Sequence, residues 1–291
     1  MSTPAVQPFF HEATGTWSYV VHAGGDAAII DPVLDFDPKS GRIGTDSARA
    51  LLEFVERHGL RVHRILETHA HADHLTAAAF LHARTGGGIV IGKGIRAVQG
   101  HFARVFGLDA DDPALRDAFD ATLGDGDIVE AGALRFEVLA LPGHTPDGLG
   151  YRIGDEVFVG DTVFAPDVGT ARCDFPGGSA EQLYASIQRL YALPEHTRLW
   201  LCHDYPVGGR APRACVTVGE SRRENRMLRA DTPRDAFVAA RQARDAGLPA
   251  PNLLYPSLQV NIYGGRLPPA DAEGRRYLRT PLRLESSADG L

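Results

Sequence analysis

The sequence predicts a layered α+β domain in which several strands end along one edge. Three observations predict it. The stretch Thr68-His69-Ala70-His71-Ala72-Asp73-His74-Leu75 packs three histidines and an aspartate between a β-like run, Arg61 to Glu67, and an Ala-rich helical stretch. Three further apolar β-runs end in turns that carry His144, Asp161 and His203. At 291 residues, with 44% hydrophobic and 23% charged content, the chain is long enough to bury a sizeable core.

Taken in order, Thr16 to His22 and Ala27 to Asp31 read as two strands around the Gly24-Gly25-Asp26 turn, and Asp31-Pro32 closes them. Asp35 to Thr45 reads as loop. A helix capped by Asp46 or Ser47 runs to about His58, with Ala50, Leu51, Phe54 and Val55 on one face and Gly59 as its stop. The β-run into the histidine cluster follows, then a helix to about Thr85 and a short buried strand, Ile89 to Ile91. The pattern changes over 93–126, which reads as an insertion beside the core. It holds a helix over Ile95 to Phe106 and a second short helix over Pro113 to Leu123. Strands return at Leu134 to Leu139, Gly148 to Ile153 and Glu156 to Val159. Ser179 reads as an N-cap, with Gln182 three residues on, for a helix to about Tyr191. Arg198 to Cys202 is the last predicted strand. Helices follow over Thr217 to Arg229 and Thr232 to Ala246, and Leu248 to Leu284 is Pro-rich and irregular. The whole of 1–291 reads as one domain, with 206–291 as a helical and irregular extension packed on the core.

Net charge is −7, so no nucleic-acid or anionic-membrane surface is expected. Met1 to Phe10 carries no basic residue and no long apolar run, so no secretory signal is expected. No stretch reaches the ~18 apolar residues of a membrane span. Three scattered cysteines without a CxxC pair fit a reducing cytoplasm better than a disulfide framework.

The chemistry lies at the strand ends. A lone His or Asp at a turn is usually a cap or a satisfied polar group. Repetition changes that, because strands of one layered domain bring their ends together. Five histidines (His69, His71, His74, His144, His203) and two aspartates (Asp73, Asp161) then suffice for two metals, or for one metal within a polar surround. His101 has no partner at metal-site spacing, and a surface or cavity-lining role is expected for it.

These motifs, His69-x-His71-x-Asp73-His74, Gly143-His144-Thr145, Gly160-Asp161-Thr162 and His203, resemble the metallo-β-lactamase superfamily in order and in every ligand position. The resemblance implies a four-layer αββα sandwich with the metal at one edge. The segment Asp167 to Gly178, Cys202-His203-Asp204-Tyr205 and the tail Pro256 to Ile262 are more closely similar to persulfide dioxygenases, in their longer bacterial branch. That similarity covers nearly the whole chain. It implies oxidation of glutathione persulfide by O2 to sulfite, with one iron, Fe(2+), held by His69, His144 and Asp161. His71, Asp73, His74 and His203 would then surround the iron as catalytic groups. It also implies substrate contacts from Arg172, which matches a basic position facing the thiol substrate, and from Tyr205, which follows the last His. A homodimer is allowed for, with no nucleic acid and no membrane among the partners.

Two positions depart from the family pattern. Cys173 stands where Ala or Thr is expected, and Asp147-Gly148-Leu149 where a small residue, Cys and Val are more usual. Both are expected to alter the substrate pocket, and an alternative role for Cys173 is a thiol that carries sulfane sulfur. The same seven ligand-type residues equally suit two zinc ions, Zn(2+), in a thioester hydrolase of the glyoxalase II type. A non-catalytic metal- or sulfur-binding protein is a third class, which the complete ligand set disfavours.

Overall fold

The computed structural model describes residues 4–282. Two six-stranded sheets lie face to face. The first runs in the order Ala5–His11, Thr16–Ala23, Asp26–Ile30, Arg61–Leu66, Gly88–Gly92, Ala121–Leu123, antiparallel over its first three strands and parallel beyond. The second runs Ile128–Ala131, Leu134–Ala140, Leu149–Ile153, Glu156–Phe158, Arg198–Trp200, Cys215–Thr217.

Strand periodicity explains the layering, because alternate side chains leave opposite faces. Tyr19, Val21, Ala28, Ile30, Leu66 and Val90 meet Phe136, Val138, Tyr151, Phe158 and Trp200 between the sheets. Their neighbours Val20, Ala27, Ile29, Ile65 and Ile89 face outward, against Leu51, Val55, Leu81 and Phe102 of the first helical layer. On the other side Val157, Leu199 and Val216 pack against Leu183, Ile187, Leu190 and Phe237. The result is helix, sheet, sheet, helix, as the resemblance implies. Among the described residues no helix is long and apolar enough to cross a membrane.

Several expectations need correction. The stretch 93–126 is built into the first layer: Ile95, Val98, Phe102 and Phe106 are buried, and Ala121–Leu123 adds the sixth strand of the sheet. The second helix expected there shrinks to Pro113–Arg116. The helix after the histidine cluster begins only at Ala78, because Leu75–Thr76 first pairs with Val33–Leu34. The helices expected over Thr217 to Arg229 and Thr232 to Ala246 are Val218–Glu224 and Arg234–Asp245. Part of the stretch read as irregular is helix Leu254–Asn261, which tolerates Pro256 in its first turn, where backbone N–H groups have no helical partner. The end of the extension, 283–291, lies outside the described residues.

Candidate metal centre

All seven ligand-type residues come together where strands of both sheets end. One ligand atom from each of His69, His144 and Asp161 lies within 4.8 Å of the others, and so do those of His71, Asp73, His74 and His203. Two glycines make the approach possible. At Gly143 (φ 140°) a Cβ would lie 2.3 Å from the Leu183 amide nitrogen, and at Gly160 (φ 53°) it would lie 2.8 Å from the Thr68 hydroxyl. Behind Gly143, Ser179 caps helix Ala180–Tyr191 through the Gln182 amide, as its spacing predicts.

A histidine binds a metal only through a nitrogen lone pair, and the bond made by its other nitrogen decides which one carries the proton. His144 donates from Nδ1 to the Arg172 carbonyl at 2.7 Å, leaving Nε2 to face Asp161 Oδ2 at 3.6 Å. The Thr68 hydroxyl donates to Asp31 at 2.9 Å, so its oxygen accepts from His69 Nδ1 at 3.0 Å. His69 Nε2 is then free, 4.0 Å from Asp161 Oδ2. His71 donates from Nε2 to Asp31 at 3.0 Å, and His74 from Nδ1 to Asp73 at 3.1 Å. The remaining nitrogens, His71 Nδ1 and His74 Nε2, are buried and without a hydrogen-bond partner, as is Asp161 Oδ1. Buried polar atoms are normally paired. Orphaned atoms on residues whose ligand atoms cluster within 4.8 Å, His71 and His74 in one group and Asp161 in the other, fit a metal centre.

The electrostatics agree. Burial, followed by the neighbouring imidazoles, holds His69 well below its ordinary value, and burial with His71 lowers His74 to about 4. Both are neutral and competent as ligands. His71 differs: burial opposes charge on it too, yet Asp31 and Glu67 overcome it and hold that imidazole well above its usual value, so its Nδ1 must shed a proton before it can hold a metal. Burial also works against the Asp73 carboxylate, but His203 and His74 keep it well below its usual range.

A cleft of about 560 Å³ reaches this centre, lined by Asp73, His144, Asp161, Phe164, Arg172 and Tyr205, with Arg244, Leu248 and Leu253 contributed by the C-terminal extension. The Tyr205 ring lies parallel to His203, centroids 5.8 Å apart. Although 46% of the residue is exposed, desolvation at the hydroxyl, then the carboxylates of Asp73 and Asp161, raise its phenol above the usual value, so it stays a donor. Arg172 lines the cleft, but its guanidinium is already engaged: it grips Asp174 at 2.6 and 2.5 Å and donates to the Pro249 carbonyl at 2.8 Å.

Cys173 is half-buried, and burial, then Asp245, pushes its thiol up to about 12. That removes the thiolate a sulfur carrier needs. Asp147 is absent from the cleft lining; it sits beneath the cluster, where its carboxylate accepts from the Ala70 amide at 2.8 Å. His101 is half-buried on its helix and outside the cleft.

The residues sequence reasoning missed are the supports. Asp31 accepts from the Thr68 amide at 2.8 Å, the Thr68 hydroxyl and His71. Asn261 donates to the carbonyls of His71 and His74, each at 2.8 Å. Asp31 stood at a strand end like the ligands, and that was its one signal.

Comparison with known proteins places this geometry. The family description for the metallo-beta-lactamase superfamily matches residues 11–203. A beta-lactamase hydrolase-like protein of Xylella fastidiosa is 47% identical over 99% of this chain and 67% of its own length. Glyoxylase B2 of Dictyostelium discoideum is 40% identical over 95% of this chain and 96% of its own length. The mitochondrial persulfide dioxygenase ETHE1 of Bos taurus is 28% identical over 69% of this chain and 68% of its own length. The crystal structure of ETHE1 from Myxococcus xanthus superposes with a TM-score of 0.72 at 30% identity, covering 90% of this chain and 100% of that one. With its αββα layers and its His/Asp metal centre, the chain belongs to the metallo-beta-lactamase superfamily as a metallo-hydrolase-type member, with ETHE1 persulfide dioxygenases among its relatives.

Proposed function

We propose that the protein is an iron-dependent dioxygenase that takes glutathione persulfide, O2 and water to glutathione and sulfite. The observation that carries this reading is the unequal division of the seven residues. His69, His144 and Asp161 form a two-histidine, one-carboxylate set, and His144 and Asp161 line the cleft. Such a set suits Fe(II) and leaves positions free for two further ligands. His71, by contrast, is tied to Asp31 and Glu67, and Asp73 to His74 and His203. Bound iron would supply the redox chemistry that joins oxygen to sulfur. Around it, the Arg172 carbonyl aims His144, the Thr68 hydroxyl aims His69, and the protonated Tyr205 offers a donor in the cleft. The likeness to ETHE1 supports the same reading. Protein made with iron available is expected to carry about one iron per chain and to consume O2 and form sulfite when glutathione persulfide is added. Two tightly held zinc ions per chain, with no O2 uptake, would overturn it.

A second reading, a dinuclear zinc thioester hydrolase, rests on a different observation. Asp161 Oδ2 faces His69 and His144 while Oδ1 lies 3.4 Å from His203 Nε2, so its two oxygens would be available to two separate metal ions. Asp73→Ala separates the two. With one iron, the variant is expected to keep most of its metal and turn over slowly. Loss of all metal would favour the dinuclear hydrolase.

Substrate recognition divides between two cations. Arg172 shares its charge with Asp174, whereas Arg244 at the cleft has no ion-pair partner among the described residues. Arg244→Ala is therefore expected to raise KM for glutathione persulfide by about 1.5–3 kcal/mol, and Arg172→Ala by less. Steady-state kinetics against a persulfide lacking carboxylates checks this: equal losses on both substrates would rule out carboxylate recognition.

A further inference from the structure

His203 is the one imidazole of the five that makes no hydrogen bond to a carboxylate, a carbonyl or an already-donating hydroxyl: its Nε2 has carboxylates nearby but no hydrogen-bond partner. Its Nδ1 meets only Thr16 Oγ1, at 3.3 Å, and a hydroxyl can either give or take. From Thr16 a chain of contacts runs outward along the first hairpin. Thr16 Oγ1 lies 2.7 Å from Thr14 Oγ1, Thr14 Oγ1 lies 2.7 Å from His11 Nδ1, and His11 Nε2 lies 3.4 Å from Asp35 Oδ1.

We propose that Asp35 and His11 set the tautomer of His203 through Thr14 and Thr16, which makes His11 a remote positioning residue of the metal centre. The direction of the chain is fixed at its outer end. Asp35 accepts from both the amide and the hydroxyl of Ser47, at 3.0 and 2.6 Å, and it accepts again from His11 Nε2–H. Burial lowers the pKa of His11, against the opposing pull of Asp35, so the ring is neutral near pH 7 and its Nδ1 is an acceptor. The Thr14 hydroxyl therefore donates to His11, and the Thr16 hydroxyl donates to Thr14. With its only proton engaged, the Thr16 oxygen accepts from His203 Nδ1–H. His203 Nε2 is left with its lone pair toward the centre, hydrogen-bonded to neither nearby carboxylate (Asp73 Oδ2 at 3.2 Å, Asp161 Oδ1 at 3.4 Å), whereas His11 does hydrogen-bond Asp35. Running the chain the other way would aim an unprotonated His11 Nε2 at the Asp35 carboxylate. His74 does not compete for Thr16: its Nδ1 is 3.5 Å away and already donates to Asp73. The hairpin is held on the second sheet independently, by Trp17 N to the Cys202 carbonyl at 2.7 Å and Asp204 N to the Gly15 carbonyl at 2.9 Å. Substitutions in the side-chain relay should therefore leave the hairpin seated.

This inference rests on the metal centre and on neither choice of metal, so it stands or falls apart from the O2-uptake test. The full chain, labelled with ¹⁵N-histidine, is read by long-range ¹H–¹⁵N NMR before zinc is added, and zinc affinity is measured by chelator competition. Wild-type His203 is expected to carry its proton on Nδ1. His11→Leu and Thr14→Val are expected to move a measurable fraction to Nε2 and to weaken zinc binding about tenfold. His11→Gln keeps an acceptor for Thr14 and a donor for Asp35, and it is expected to behave as wild type. An Nδ1 proton that stays fully in place in His11→Leu, or equal damage from His11→Leu and His11→Gln, would overturn the proposal.

Discussion

Asp31→Ala is expected to lose about 3–5 kcal/mol of folding stability, measured as a shift of the urea midpoint at unchanged slope. Asp31 is 2% exposed and answers four buried donors: the Thr68 amide, the Thr68 hydroxyl, His71 Nε2 and, more weakly, the Cys202 thiol. Removing it strands the Thr68 donors and the thiol and leaves His71 to Glu67 alone. The backbone adds to the loss. Asp31 sits at φ 47°, a left-handed conformation that Asp and Asn tolerate and Ala resists by about 1 kcal/mol. Asp31→Asn keeps the backbone preference and one acceptor, so it should recover part of the loss. The pH dependence has a defined window. His71 is held above its ordinary value, so its pairing stabilises fully below about pH 6.5 and fades as pH rises through the folded value. Burial works against the Asp31 carboxylate, but His71 and Thr68 outweigh it and lower its pKa, so its share is present above about pH 4 and fades as pH falls. The deficit of Asp31→Ala should therefore be largest between those limits. A loss below about 1 kcal/mol there would sink this account.

What was legible in the chain was whatever repeats. Most of the central strands carry apolar side chains on both faces, and each metal-ligand turn follows such a strand, so ligands and layers could be read together. Edge strands were not legible. Ala5–His11 contains Pro8 and is only partly buried, and Cys215–Thr217 is three residues long, so neither shows a core period. The supports were hidden for another reason. Asp31 lies 40 residues from His71, and Asn261 lies 190 from it. A single polar residue at a turn or in a helix gives no hint of a partner that distant. Arg172 was legible as a cation near the centre, but its pairing with Asp174 was not, although the two lie only two positions apart. The backbone alone decides whether such neighbours face each other.

Asn261→Leu should combine a loss of stability with a loss of metal, because one amide closes the loop that carries His71, Asp73 and His74. Asn261 is 3% exposed on the helix Leu254–Asn261. Its Nδ2 donates to the carbonyls of His71 and His74, and its Oδ1 accepts from the Thr76 amide at 2.9 Å. These bonds span the loop from its second histidine to its return into the small strand Leu75–Thr76. Leucine fills nearly the same volume, so packing changes little and the cost comes from polarity. Two carbonyls and one amide are left buried and unanswered, at about 1–3 kcal/mol each before relaxation, and a net loss of about 3 kcal/mol is expected. The loop then no longer holds His74 Nε2 and His71 Nδ1 in place at the centre, and metal affinity should fall about 10–100-fold. Asn261→Asp is the informative companion. It keeps the acceptor for Thr76 but turns a carboxylate oxygen toward two carbonyls, so it should bind metal no better than Asn261→Leu. Denaturation and chelator competition on both variants check this. If Asn261→Leu matches wild type in both measurements, the tail helix merely covers the loop and does not hold it.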